Sequence, residues 1–441
     1  LKISLSNYSL AISRRLIMLR LLLLCWLCTL SFIGVTQELR VKDTASLTQA
    51  LAQAQDGDTL VLDTAVYEGN FSVTRSIHIK AEAGATLDAL RQGSALTITA
   101  PKVIVEGLNI RHWGRDLYYH DAGILLLPGA DEVLIKGNRF VGDGFGIYGE
   151  QLASPRILEN SISGNGAIYV LDRGDGIFLK HVTAPDVQQN HVIFVRDGVY
   201  LESVTDSKIH HNQFAKLQYG IHYMYTRGDE ASNNQAISVD GGYALMNSQQ
   251  IYLHHNRVSQ ARDFGILLNI TNDSHIQANI ATDVKHPQGS VELGNEGKGI
   301  FIYAAQNNRI QDNEFSHSDT GISMAMGGEA NRLWHNRILA NQTQVKYVGE
   351  AQLEWSYQGQ GNYWSEYRGW DANGDGVGDV THRPNDNLDK LFWLYPEAKL
   401  LMESPVVLLL RWVERQFQPT SVSGVSDSFP LMRLTTEGDG I

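Results

Sequence analysis

The chain has 441 residues, 41 of them Gly and 10 Pro, with 36 Lys and Arg against 48 Asp and Glu, giving a formal net charge of -12. That length permits a large core or several domains. The acidic balance argues against nucleic acid and anionic lipid head groups as main partners, since both select basic surfaces.

Residues 1–36 read as a signal peptide. Arg14, Arg15 and Arg20 precede or open an apolar run from 21 to 35, which has the length of a signal-peptide core and is short for a membrane span, an uncleaved anchor being the rival reading. Met18 is a candidate start. Cys25 and Cys28 fall inside this run. Their C-x-x-C spacing invites a redox or metal reading, but in a segment that is removed they are simply small apolar residues. The mature chain then holds no thiol, and any soft metal falls to Met and His.

A short amphipathic helix is expected over 44–54, with apolar spacing at Leu47, Ala50, Leu51 and Ala54 and Asp43 as N-cap. It would cover the first coil of a repeat that occupies the middle of the chain. A Gly followed by an aliphatic or aromatic residue recurs at Gly123, Gly146, Gly176, Gly198, Gly220, Gly242, Gly265, Gly299 and Gly321, often at steps of 22 residues. An Asn follows each Gly after 14 or 15 residues, from Asn138 to Asn336. Such a unit is too short for a helical hairpin or a propeller blade. Its local pattern has period two, as in Gly176-Ile-Phe-Leu-Lys180 and Gly198-Val-Tyr-Leu-Glu202. Short strands with Asn at a fixed turn describe an all-β, right-handed parallel β-helix over 37–345, its Asn side chains stacked in a ladder. The Asn160–Gly176 and Asn279–Gly299 intervals are longer than the others. Two excursions, near 163–174 and 283–296, should therefore protrude from one face, where repeat proteins often place their binding loops.

Counting from each Gly, positions +1 and +3 are aliphatic and face the core, so +2 and +4 face outward. Those outward positions carry Tyr148, Phe178, Tyr200, His222, Met224, Met246, Leu267, Phe301 and Tyr303, an apolar and aromatic row where a solvated sheet would be polar. It reads as a partner-binding face. Met224 and Met246 share position +4 on successive coils, with His222 at +2 beside them. Two thioethers and an imidazole are a soft, neutral ligand set suited to copper(I). A competing reading rests on Asp175 and Asp197, which precede Gly on neighbouring coils. A stacked carboxylate pair suits a polysaccharide lyase, hydrolase or epimerase, although the same residues serve equally as turn-opening Asp. The coils carry no dense Arg or Lys row for acidic sugars.

Beyond the repeat, over 346–400, Asp371-Ala-Asn373-Gly-Asp375-Gly-Val377-Gly-Asp379 follows the first nine positions of a calcium (Ca2+) loop, but His382 stands where the closing Glu belongs. Ser404-Pro405 then opens a helix of the 401–441 tail, with Leu409, Trp412, Val413 and Phe417 on one stripe. That stripe either caps the last coil or docks a membrane partner.

His222-Tyr-Met224-Tyr-Thr226, Gly242-Tyr-Ala-Leu-Met246, Gln344-Val-Lys-Tyr-Val-Gly349, Leu353-Glu-Trp-Ser356, Gly361-Asn-Tyr-Trp-Ser-Glu366, Arg383-Pro-Asn-Asp386 and Asp427-Ser-Phe-Pro-Leu-Met432, together with the loop at 371–379, resemble the NosD family. The likeness spans about 40–432, and the blocks outside the repeat are not demanded by a β-helix. His382 departs from it, since the family has Tyr before Arg-Pro-Asn-Asp. The resemblance implies a periplasmic accessory protein rather than an enzyme. It would work with the subunits of an inner-membrane ABC transporter and a copper chaperone lipoprotein to build the copper–sulfide cluster of nitrous oxide reductase. Carried onto this chain, it draws attention to His222, Met224 and Met246 as handlers of copper.

Overall fold

The computed structural model describes residues 37–287, 296–328, 330–347, 349–385, 388–389, 393, 395, 401, 404–417 and 424–433. Residues 1–36, read from the sequence as a signal peptide, lie outside them. The described chain winds as a right-handed parallel β-helix. Among the described residues it forms three long parallel sheets of 13, 12 and 13 strands, plus a two-strand pair. Each coil gives a strand to the first sheet, one to the third and one to the second, in that order. One such passage is Lys208–His210, Gln213–Ala215 and Tyr219–Met224.

Residues inside the coil are aliphatic or aromatic and buried, as with Val199, Leu201, Ile209, Phe214 and Ile221. They make one continuous apolar cluster along the axis. The recurrent Gly marks the corner where the chain enters the second sheet. A Cβ on Gly198 would come within 2.4 Å of the Phe214 ring and 2.6 Å of the Gly220 carbonyl oxygen. The corner is thus too tight for any side chain.

The Asn ladder occupies the corner between the first and third sheets. Asn212 donates its backbone amide and its side-chain Nδ2 to Asn234 Oδ1, each at 2.9 Å. Asn234 does the same to Asn256. Both rungs are buried, so each amide answers a polar group that would otherwise be left without a partner. Helix α1 (Thr44–Gln53) covers the first coil, with Asp43 accepting from the Ser46 amide as its cap.

At the far end the third sheet takes a further strand, Tyr363–Trp364, paired with Arg337–Ile338. It comes from the segment that the sequence pattern assigns to the region after the coils. The reason is Asn362, which extends the ladder by accepting from Asn336 at 2.9 Å. In helix α2 (Pro405–Phe417), Leu409, Trp412 and Val413 are exposed and Val407 is buried. These three residues of the expected stripe therefore do not pack on the last coil.

Candidate functional site

The outer face of the second sheet carries three rows in register. The first runs Asp197, Tyr219, Gly241, Phe264, Lys298. The second runs Tyr148, Phe178, Tyr200, His222, Ala244, Leu267, Phe301. The third runs Lys180, Glu202, Met224, Met246, Asn269, Tyr303. Strand alternation alone puts the second and third rows outside. The residue before each Gly joins them because the tight corner turns it outward as well.

The second row is a column of stacked rings. Tyr148 and Phe178 lie 5.1 Å apart, and Tyr200 and His222 4.4 Å apart with planes at 10°. Tyr148 and Phe178 are nevertheless buried. The loop at 112–121 folds back over them, stacking His120 on Tyr148 at 4.1 Å and packing Leu117 alongside. Tyr200, Phe301 and Tyr303 remain partly exposed. The first excursion lies beside this face, with Tyr169 and Leu171 exposed; the described parts of the second, 283–287 and 296, leave the chain at the same corner.

Charge runs beneath the rings. Asp175 is fully buried and receives a bidentate pair from Arg196, Nε at 2.9 Å and Nη2 at 2.6 Å. It also accepts the Asp197 amide at 3.0 Å. Burial pushes the Asp175 carboxyl up, against the pull of the Arg196 guanidinium. Asp197, itself buried, accepts from the Tyr219 amide and holds His222 Nδ1 at 3.0 Å from its Oδ2. His222 Nε2 is buried without a hydrogen-bond partner. A carboxylate on Nδ1 fixes the tautomer in which Nε2 presents a lone pair. The two carboxylates of the sugar-chemistry reading do sit on adjacent rungs. Both are sealed from solvent and bonded within the chain, so no polymer reaches an acid–base pair here. Arg196 was not singled out from the sequence, although it stands directly before Asp197.

Met224 pairs with Met246 across neighbouring strands. Both are half-buried, and Met246 packs against the cluster of Ala244, Phe264 and Leu267. Ala244 follows His222 in its row, so the imidazole is flanked by a ring on one side and a methyl on the other.

The 371–379 loop closes on itself. Asp371 accepts the Gly374 and Gly376 amides at 2.6 and 2.9 Å. Asp375 accepts the Val377 amide at 2.8 Å and Asn373 Nδ2 at 2.9 Å, and Asp379 accepts the Ala372 amide at 2.6 Å. The candidate ligands are thus gathered in one turn. His382 lies elsewhere, between Trp364 and Tyr367 at 4.8 and 5.7 Å. Among the described residues no group of three or more His, Cys, Asp or Glu is arranged to hold a metal ion. No helix of the described chain is long and apolar enough to cross a membrane.

Known proteins resemble this chain at two levels, in sequence and in fold. A protein of Stutzerimonas stutzeri named probable ABC transporter binding protein NosD is 42% identical over 374 residues, covering 84% of this chain and 86% of that one. Its namesake in Pseudomonas aeruginosa is 42% identical over 370 residues, covering 83% and 86%. Among solved structures, a PL6 alginate lyase in complex with trisaccharide is similar at a TM-score of 0.54 with 12% identity, covering 69% of this chain and 80% of the lyase. PfbA, a surface adhesin of Streptococcus pneumoniae, is similar at 0.52 with 11% identity, covering 68% and 88%. At such identities the likeness is one of fold and carries no chemistry. Residues 158–369, which include every rung from Asp175 to Tyr303, match the model described as periplasmic copper-binding protein (NosD). With two relatives at 42% identity over more than four-fifths of its length, the chain belongs to the NosD family of periplasmic copper-binding proteins.

Proposed function

We propose that this protein handles copper(I) during maturation of nitrous oxide reductase, with Met224, Met246 and His222 as the site that takes the ion as cargo. One observation carries the reading: Met224 and Met246 share a register on adjacent strands, one row away from an imidazole whose Nδ1 is already held by Asp197. Thioether and neutral imidazole donors suit copper(I). The half-buried setting of the two thioethers suits a site that must both load and release.

In this reading Asp197 holds the proton on Nδ1 of His222, Nε2 donates to the ion, and the two thioethers complete a low-charge set. The copper would come from a copper chaperone lipoprotein and pass to the reductase, with an inner-membrane ABC transporter as the standing partner. The names of the relatives support that last association. So do the exposed apolar residues of α2. The loop at 371–379 would bind Ca2+ as a structural clamp.

The test is a strain in which Met224→Leu and Met246→Leu replace the wild-type chain. Leu keeps the packing volume, so the protein should fold and accumulate. Reductase purified from that strain should carry less copper and sulfide at its cluster. Reductase with a full complement from the double variant would remove these residues from the pathway.

A further inference from the structure

A second constellation sits at the corner between the first and third sheets, where the Asn ladder runs. Along a strand, neighbouring side chains point to opposite faces, and two consecutive His would not meet. At this corner the second residue adopts left-handed backbone, with φ of 58° at His211 and 54° at His255. Both rings of each pair then turn to the outside of the coil. His210 Nδ1 and His211 Nδ1 are 3.1 Å apart, and His254 Nδ1 and His255 Nδ1 are 2.8 Å apart.

Each inner ring is backed by a carboxylate. His254 Nε2 hydrogen-bonds Glu230 Oε1 at 3.1 Å, and His210 Nε2 lies 3.2 Å from Asp186 Oδ1. The hydrogen-bonded carboxylate at His254 Nε2 keeps the proton there and leaves Nδ1 with its lone pair, and the nearby Asp186 charge favours the same tautomer at His210. The outer rings, His211 and His255, are exposed. Each donates its Nδ1–H in a hydrogen bond to the inner ring's Nδ1. That proton can move through water to the outer ring's own Nε2, with no net proton released. Two lone pairs then converge. Two imidazoles on one metal, at bonds of about 2.0 Å and angles between 90° and tetrahedral, place their nitrogens about 2.8 to 3.3 Å apart. The two pairs recur two coils apart, about 10 Å along the axis. The coil between them carries the small Ser232, which leaves a notch of about 210 Å³ walled by Lys208, His210 and Glu230.

We propose that each His–His pair is a bidentate chelate for a borderline divalent cation of the Cu2+ type, separate from the thioether face on the second sheet. With two protein nitrogens per ion and the other positions left to water, binding is weak and exchangeable. The inference does not rest on the maturation role above.

The experiment is titration of the mature chain with Cu2+, without a His tag and with Met224→Leu and Met246→Leu to silence the other face. Electron paramagnetic resonance would follow the nitrogen coupling. Two ions should bind at the corner, each coupled to two nitrogens, and the spectrum should show dipolar broadening. His211→Gln should remove one equivalent and the broadening together. His211→Gln with His255→Gln should remove both equivalents, or weaken them at least tenfold. Gln at these exposed positions leaves the coil intact, which circular dichroism checks. A double variant that binds as many ions as tightly as its parent would overturn the proposal.

Discussion

Asp427 closes the ladder that Asn362 extends. Asn362 donates its backbone amide to Asp427 Oδ2 at 2.7 Å and its side-chain amide to the same oxygen at 3.3 Å. Every rung from Asn138 onward donates toward the C-terminal end. The last rung therefore needs a group that only accepts, and an ionised carboxylate is such a group. Trp364 Nε1 adds a third bond to that oxygen at 2.8 Å, and the Phe429 amide reaches the other oxygen at 3.1 Å.

Asp427→Ala should accordingly cost about 2–4 kcal/mol, because it leaves buried donors on Asn362 and Trp364 without partners. Asp427→Asn should cost less, since one carbonyl oxygen can still take the Oδ2 contacts. Urea unfolding of both variants measures the difference. Equal stability of Asp427→Ala and the parent would mean that the ladder's end is solvated.

Burial between Trp364 and Tyr367 holds His382 neutral, its pKa pushed down to about 4. In the unfolded chain it titrates near 6.5. Its folded pKa is the lower one, so the unfolded state binds more protons between those two values and stability falls as pH drops through that window. The loss reaches up to about 3 kcal/mol at pH 4. His382→Tyr, an uncharged ring of similar breadth, should flatten this part of the pH–stability curve. Unfolding midpoints at pH 7, 5.5 and 4.5 decide it; parallel curves for the two proteins would show that His382 does not carry the acid sensitivity.

Asp197→Asn tests the proposed copper face without touching a proposed ligand. An amide in place of the carboxylate lets His222 turn over or change tautomer, and loss of such an orienting partner typically weakens metal binding by about 10–100-fold. Copper(I) competition against a chromophoric chelator should show that loss. Met224→Leu with Met246→Leu should weaken binding whichever way Asp197 acts. Unchanged copper(I) affinity in Asp197→Asn would mean that His222 is not a ligand.

Much of the fold was legible in the sequence because the coil repeats. The Gly-to-Asn interval marks two corners of each coil, and period-two alternation then assigns Met224, Met246 and His222 to one outer face. What the repeat could not convey is contact between rows and across long separations. Asp197 meets His222 across 25 residues. Asp427 meets Asn362 across 65. Tyr148 and Phe178 point outward as the alternation requires, yet a loop with no repeat signature covers them. The paired histidines escaped notice for a backbone reason: only the left-handed turn brings rings at i and i+1 together.

Helix α2 presents apolar side chains that the β-helix does not cover. Leu409 is 59% and Trp412 58% exposed, while Val407, on another side, is buried. An exposed apolar cluster of this kind is the sort of surface that interaction sites present. If it docks on the transporter in the membrane, Leu409→Glu with Trp412→Glu should leave the thermal unfolding of the β-helix within about 1 °C of the parent, since neither side chain packs on it. The same change should abolish co-purification with membranes that carry the transporter. Fully burying each side chain is worth about 1.5–3 kcal/mol, so losing both weakens association by at least about 100-fold. Val407→Asp should behave in the opposite way, loosening the helix from the rest of the chain and lowering the unfolding midpoint. If the exposed-face variant instead lowered the midpoint and left membrane retention unchanged, α2 would be a cap on the solenoid after all.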